Sequence, residues 1–159
     1  MKKIIIALVA FLCIQTAVCY YLIHKSEKKI VYADAIKLFN GYKFKLDMEQ
    51  SSQGTLKKLK TGLDSATAFY KVNPTNADAQ RLVMEKQQQL NGAYAQINKE
   101  INQKVWERLN PVIHEFGKAK NIDIMIGANG MGTVLYASDH WDVTDDLIKY
   151  VNENYEKGN

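Results

Sequence analysis

Cysteine disappears from this chain after residue 19. Its only two, Cys13 and Cys19, lie in an apolar N-terminal segment. The remainder therefore has no disulfide to staple it, no thiol nucleophile and no cysteine metal cage. Proline is almost as scarce, with only Pro74 and Pro111, and nine glycines in 159 residues suit long uninterrupted helices. A strong charge imbalance is also missing. The net charge of +4 argues weakly for acidic partners or anionic membrane surfaces. Without a basic stripe and exposed aromatics it gives no reason to expect nucleic acid. No Ser-His-Asp order, pocketed carboxylate pair or redox motif stands out. The run GANGMG at 127–132 lacks the lysine and the following helix of a phosphate-binding loop, and reads as a tight turn. His114, His140, Asp139 and Asp142 do not make a convincing metal set, since the last three share a loop ahead of a helix start. No catalytic residue, cofactor or metal is expected.

What is present begins with an apolar run. Lys2 and Lys3 precede residues 4–23, interrupted only by Gln15 and Thr16, and His24, Lys25, Lys28 and Lys29 follow. Twenty helical residues reach about 30 Å, the thickness of a bilayer core. Ala17-Val18-Cys19 is a passable cleavage site, and bulky Val18 weakens a lipoprotein reading of Cys19. The length favours an uncleaved anchor, with Tyr20 and Tyr21 at interfacial depth. The alternative is a cleaved signal, and either way the rest of the chain is exported.

Sheet signals occur at both ends of the remaining chain. Ile122, Ile124 and Ile126 alternate with Asp123 and Met125, the period of a half-buried strand. Asn129, Gly130 and Gly132 mark a turn, and the β-branched and aromatic run at 133–136, which includes Val134 and Tyr136, reads as a returning strand. Thr144 is a good N-cap, with Asp145 and Asp146 in the first helical turn and Val143 placed to staple onto Ile148. This block is too small to hold a core alone. Part of its partner lies upstream, where Ile30, Val31 and Tyr32 form a strand-like run before a helical pattern starting near Asp34. For Tyr32, Tyr136 and Trp141, packing around the sheet is favoured over contact with a client.

The middle reads as a helical hairpin. A first helix is expected over about 33–72, with a seam at Leu56, Leu59, Leu63, Ala66 and Tyr70 and a polar gap at 49–53. Residues 73–76 form the tip, where Pro74 ends one helix and Asn76 caps the next. The second helix, about 77–120, carries Leu90, Tyr94, Ile97, Ile101, Val105, Leu109, Val112 and Phe116. That spacing includes a stutter near 101–109, and Pro111 predicts a kink or local break. The lysines of the first helix serve equally well as a solvated face or as an attraction for acidic clients or lipid headgroups.

The two ends of the exported chain, KIVYADAIKLFNGY at 29–42 and NIDIMIGANGMGTVLYASDHWDVTDDLIKYVN at 121–152, resemble the Skp/OmpH family of periplasmic chaperones. The middle matches in architecture alone. The resemblance implies an α+β fold in which a long antiparallel helical hairpin projects from a small β-sheet body. Residues 1–29 are then signal or anchor and linker, 30–34 with 121–155 the body and its C-terminal helix, and 35–120 the arm. It further implies a homotrimer whose arms enclose unfolded outer-membrane proteins in the periplasm without ATP. Ile30, Tyr32, Ile122, Ile124, Ile126, Val134 and Tyr136 become candidates for the oligomer body. Leu56, Leu59, Leu63, Tyr70, Leu90, Tyr94, Ile97 and Ile101 become candidates for client contact. The long apolar segment departs from the usual cleavable signal and implies attachment to the inner membrane through residues 4–23. The alternative is a membrane-anchored trimeric scaffold of the envelope with no client cavity.

Overall fold

Asp34 is where strand becomes helix. In the computed structural model, which describes residues 2–25 and 28–158 (the side chains of 3–10 and 22–25 excepted), its carboxylate Oδ1 accepts from the amides of Ile36 and Lys37 at 2.9 Å each. Those two bonds satisfy donors that a helix start leaves free. They join strand β1 (Ile30–Asp34) to helix α2 (Ala35–Gly41). The first helix of the chain, α1 (Lys2–Lys25), precedes them. Its described side chains are exposed. Among the described residues no helix is long and apolar enough to cross a membrane. Of the run 4–23, the side chains of 4–10 and 22–23 lie outside the described residues.

The helical pattern does not continue from α2 into the arm. It breaks at Tyr42, whose backbone is extended, and restarts as α3 (Lys43–Val72). A residue far along the chain secures this break. The side-chain amide of Asn152 donates to the Gly41 carbonyl at 2.9 Å, and its oxygen accepts from the Lys43 amide at 2.8 Å. Tyr42 itself is buried beside Phe44 and Tyr155, and the Arg108 guanidinium lies 4.5 Å from the Phe44 ring centre. Tyr155 donates its hydroxyl to Asp47 at 2.8 Å, which raises its pKa, with burial adding to the effect. Lys43 pairs with Glu156.

The chain reverses at 73–76. Asn76 accepts from the amides of Asp78 and Ala79, as expected of a cap, and α4 (Ala77–Ala119) returns. It runs through Pro111 without interruption, so of the expected kink or local break, the break is absent. Pro111 and Glu107 are both exposed, where solvent can serve the carbonyl that proline leaves unpaired. The end of α4 also differs from expectation. Asn121 adopts a left-handed φ of 51°, the Ile122 amide donates to Gly117 and the Asn121 amide to Lys118. That is a Schellman ending, whose next apolar residue folds back on the helix. Ile122 accordingly packs against the helical core and does not begin the strand.

Strand β2 (Ile124–Ala128) pairs with β1 in parallel, from Ile30 opposite Ile124 to Asp34 opposite Ala128. The last helix, α5 (Thr144–Glu156), lies across α2 and α4. Gly41 permits this approach, since a Cβ there would stand 3.3 Å from the Ile148 side chain. The core gathers Ala33, Leu38, Val105, Leu109, Phe116, Leu147 and Val151, with Val105, Leu109, Leu147 and Val151 fully buried. The result is α+β: a long antiparallel helical hairpin raised on a small body. The body includes α2 and the last part of α4, both of which had been expected in the arm.

Replacing Asn152 with alanine should remove both bonds across the Tyr42 break. Equilibrium urea unfolding should show a loss of about 1–3 kcal/mol. An unchanged midpoint and slope would mean that Asn152 does not hold the break.

Candidate interaction surfaces

The two strands bury one face only. Val31 and Ala33 are buried, and Met125 packs against the same core. Residues paired in parallel point to the same side, so Ile30, Tyr32, Ile124 and Ile126 share the other face. Nothing in the described chain covers this face fully. Ile30 and Ile124 remain 43% and 47% exposed. The alternating isoleucines of β2 therefore mark the outer face of the sheet, and the core is reached through Met125.

A groove of about 310 Å³ runs along this face, lined by Ile30, Tyr32, Ile126, Val134, Tyr136 and Trp141. The segment beyond β2 forms its rim. Asn129 accepts from the Met131 amide and the Thr133 hydroxyl, and Gly130 and Gly132 take positive φ values of 72° and 89°. The turn is as expected, but the returning strand at 133–136 is not formed. Met131, Leu135 and Tyr136 are 84%, 93% and 87% exposed, an unusual state for large apolar side chains so close together. Met131 and Leu135 were absent from the expected body residues, although the apolar content of this segment was the signal that could have found them.

The inner edge of the groove is held by a polar cluster. The Val143 amide donates to the Tyr32 carbonyl at 3.0 Å. Thr144 does not cap its own helix through its side chain, as had been expected. Its hydroxyl oxygen accepts from the Asp34 amide at 2.8 Å, and the hydroxyl donates to Asp142. Thr144 is thereby buried and ties α5 to the end of β1. Burial pushes the Asp142 carboxyl up, but hydrogen bonds from the Thr144 hydroxyl and amide and from Tyr32 outweigh it, leaving its pKa below the usual value. The Tyr32 phenol is raised, by burial first and then by Asp142. His140 lies against Trp141, with ring centres 4.4 Å apart. Among the described residues, no group of three His, Cys, Asp or Glu side chains is placed to hold a metal.

Along the arm, Leu56, Leu59, Leu63 and Tyr70 are half-buried against α4. Leu90 is buried at 7%, and Ile101 at 6% belongs to the body core, so neither is exposed on the surface of the arm. Ile97 packs partly against that core. Tyr94, expected in the seam, is 44% exposed, and the half-buried neighbour on that turn is Ala93. The polar gap coincides with a cleft of about 280 Å³ lined by Phe44, Met48, Ser51, Ser52, Ile97 and Lys104 among others. Both serine hydroxyls donate back to the Met48 carbonyl. Such back-bonding competes with the helix and commonly bends it.

These surfaces define a class: a helical hairpin on a small mixed body, with apolar area left open on the sheet and a loosely packed arm. The family model for OmpH-like outer membrane proteins matches residues 26–151. The chain belongs to that family. The match takes in β1 through most of α5 and omits α1. The family is a chaperone-type family of the periplasm concerned with outer-membrane proteins, and it is not enzymatic. No curated protein matches the chain.

The lowered Asp142 carboxyl gives a pH signature. Its stabilising contribution is present above the unfolded carboxylate pKa of about 3.9 and is lost as pH falls through the lower folded value. The Asp142→Asn variant should therefore unfold more easily than the parent at neutral pH, and the gap should close in acid. A gap that persists unchanged in acid would assign the effect to something other than charge.

Proposed function

We propose that this protein is an ATP-independent holdase that keeps unfolded outer-membrane proteins from aggregating in the periplasm. It works as a homotrimer whose sheet faces form one body and whose helical hairpins enclose the client. The observation that carries the assembly is the partly uncovered outer face of the sheet. Ile30, Tyr32, Ile124 and Ile126 lie there beside the mostly exposed 131–136 segment, which has strand composition but no strand partner among the described residues. A second and third copy would supply that partner and cover the apolar area.

The arms suit holding rather than folding. An unfolded barrel strand exposes alternating apolar side chains and unpaired backbone groups. Many weak contacts from a thin, half-exposed seam can retain it without selecting one conformation. Exposed Phe69, Val72, Leu82, Met84 and Tyr94 supply apolar contact, and Lys57, Lys58, Lys60 and Lys71 supply charge. The cleft at Ser51 and Ser52 gives the arm a place to yield as clients differ in size. Residues 4–23 hold the assembly to the inner membrane, a reading supported by the apolar length of that segment, which only Gln15 and Thr16 interrupt.

The modest apolar content of the arms favours a second reading, a membrane-anchored trimeric scaffold without a client cavity. Light scattering from a diluted unfolded barrel protein separates the two. A holdase should suppress aggregation with or without nucleotide, and reversing the charges of the arm lysines should weaken that protection. Equal aggregation in the presence and absence of the protein would contradict the holdase. The assembly has its own test: Tyr136→Asp should shift the solution mass from trimer to monomer while the helical circular dichroism persists. A parent protein that is already monomeric would remove the trimer.

A further inference from the structure

The chain enters the body at one end of α4, and the arm tip caps the other. Lys29 marks the entry point and is held there by four bonds. Its amide donates to Asp123 Oδ2 at 2.7 Å, and its carbonyl accepts from the amides of Asp123 and Ile124 at 3.0 and 3.3 Å. Its ammonium donates to the Lys120 carbonyl at 3.0 Å, and Lys120 is the C-cap of α4. Asn76 caps the opposite end of the same helix, whose 43 residues span about 65 Å. From Lys25, the last residue of α1, to Lys29 the chain takes four residue steps, a reach of about 14 Å at most. The tether is thus several times shorter than α4. His24, Lys25, Lys28 and Lys29 make the junction basic, as suits the headgroup region of an anionic bilayer.

We propose that the protein stands on the membrane by its body, with its hairpins directed away from the bilayer that holds α1 and the client space opening away from that bilayer. This rests on the anchor reading of residues 4–23. The short tether brings the α4 C-terminus and the start of the sheet to the headgroups. The exposed Phe69, Val72 and Met84 near the tip are carried outward, toward clients arriving across the compartment.

The test uses the full chain with Cys13→Ser and Cys19→Ser, which removes both native thiols. A single cysteine is then introduced at Lys118→Cys near the body end of α4 or at Thr75→Cys at the tip, and each is labelled with a donor dye. The protein is reconstituted into anionic phospholipid vesicles carrying an acceptor dye on their headgroups, and flotation is scored on the same samples. Co-flotation with energy transfer several-fold stronger from residue 118 than from residue 75 is the expected result. Co-flotation with transfer from residue 75 equal or stronger would overturn the orientation and leave the anchor standing. Failure to float would overturn the anchor reading and the orientation with it.

Discussion

One helix has to satisfy two packing partners. Near the tip, α4 meets only α3, through Ala79, Val83, Leu90 and Ala93. Nearer its C-terminus it meets α5 as well; its Val105, Leu109, Val112 and Phe116 join one core with Leu38 of α2 and Leu147 and Val151 of α5, and Trp106 lies against Phe39 of α2. A strict heptad stripe would keep facing the same neighbour. Here Ile97, Ile101, Val105 and Leu109 follow one another at steps of four, and each step overshoots a full turn by about 40°. Three such steps carry the apolar stripe about 120° around the helix. The stutter re-aims one continuous rod from the arm into the body core, where Val105 and Leu109 become fully buried. Without that rotation the body would lose its largest helix and the arm its fixed root.

The same division explains where stability and adaptability reside. The body has aromatic and aliphatic side chains interlocked across α2, α4 and α5. It is fastened by Asn152 across the Tyr42 break and by Thr144 on the Asp34 amide. The arm buries only Ala66 of α3 and Ala79 and Leu90 of the facing part of α4. Small side chains on both helices allow close approach but contribute little apolar area, so the arm depends on its root. At the other side of the body, the sheet leaves Ile30, Tyr32, Ile124 and Ile126 on its partly uncovered outer face.

Much of this was legible in the chain itself. Strand β1 could be read from its β-branched run and β2 from its alternating isoleucines, the tip from Pro74 and Asn76, and α5 from its acidic first turn. What escaped depends on contacts distant in sequence. Tyr42 looks like an ordinary helical residue, and only Asn152, at the other end of the chain, makes a break there tolerable. Thr144 has the composition of an N-cap, but the Asp34 amide claims its oxygen. Ile122 continues an alternating pattern and is nevertheless taken by the Schellman ending of α4. Tyr94 yields the seam to Ala93, which is half-buried one residue earlier on the same turn. The 133–136 segment has strand chemistry and no strand. Pairing requires a partner, and sequence alone cannot say whether that partner lies in the same chain. The interaction surfaces were legible as apolar composition, but their division into inner and outer faces required the parallel register.

The division of labour along α4 is the central claim, and amide hydrogen exchange of the full chain measures it directly. Amides of α4 beyond Ile101, together with those of α5 and β1, should exchange slowly and as one cooperative group. Those of the same helix between Ala79 and Ala93 should exchange far faster, in step with the facing half of α3. Uniform protection along the whole of α4 would contradict it, because a single helix would then be equally stabilised by its two very different neighbourhoods.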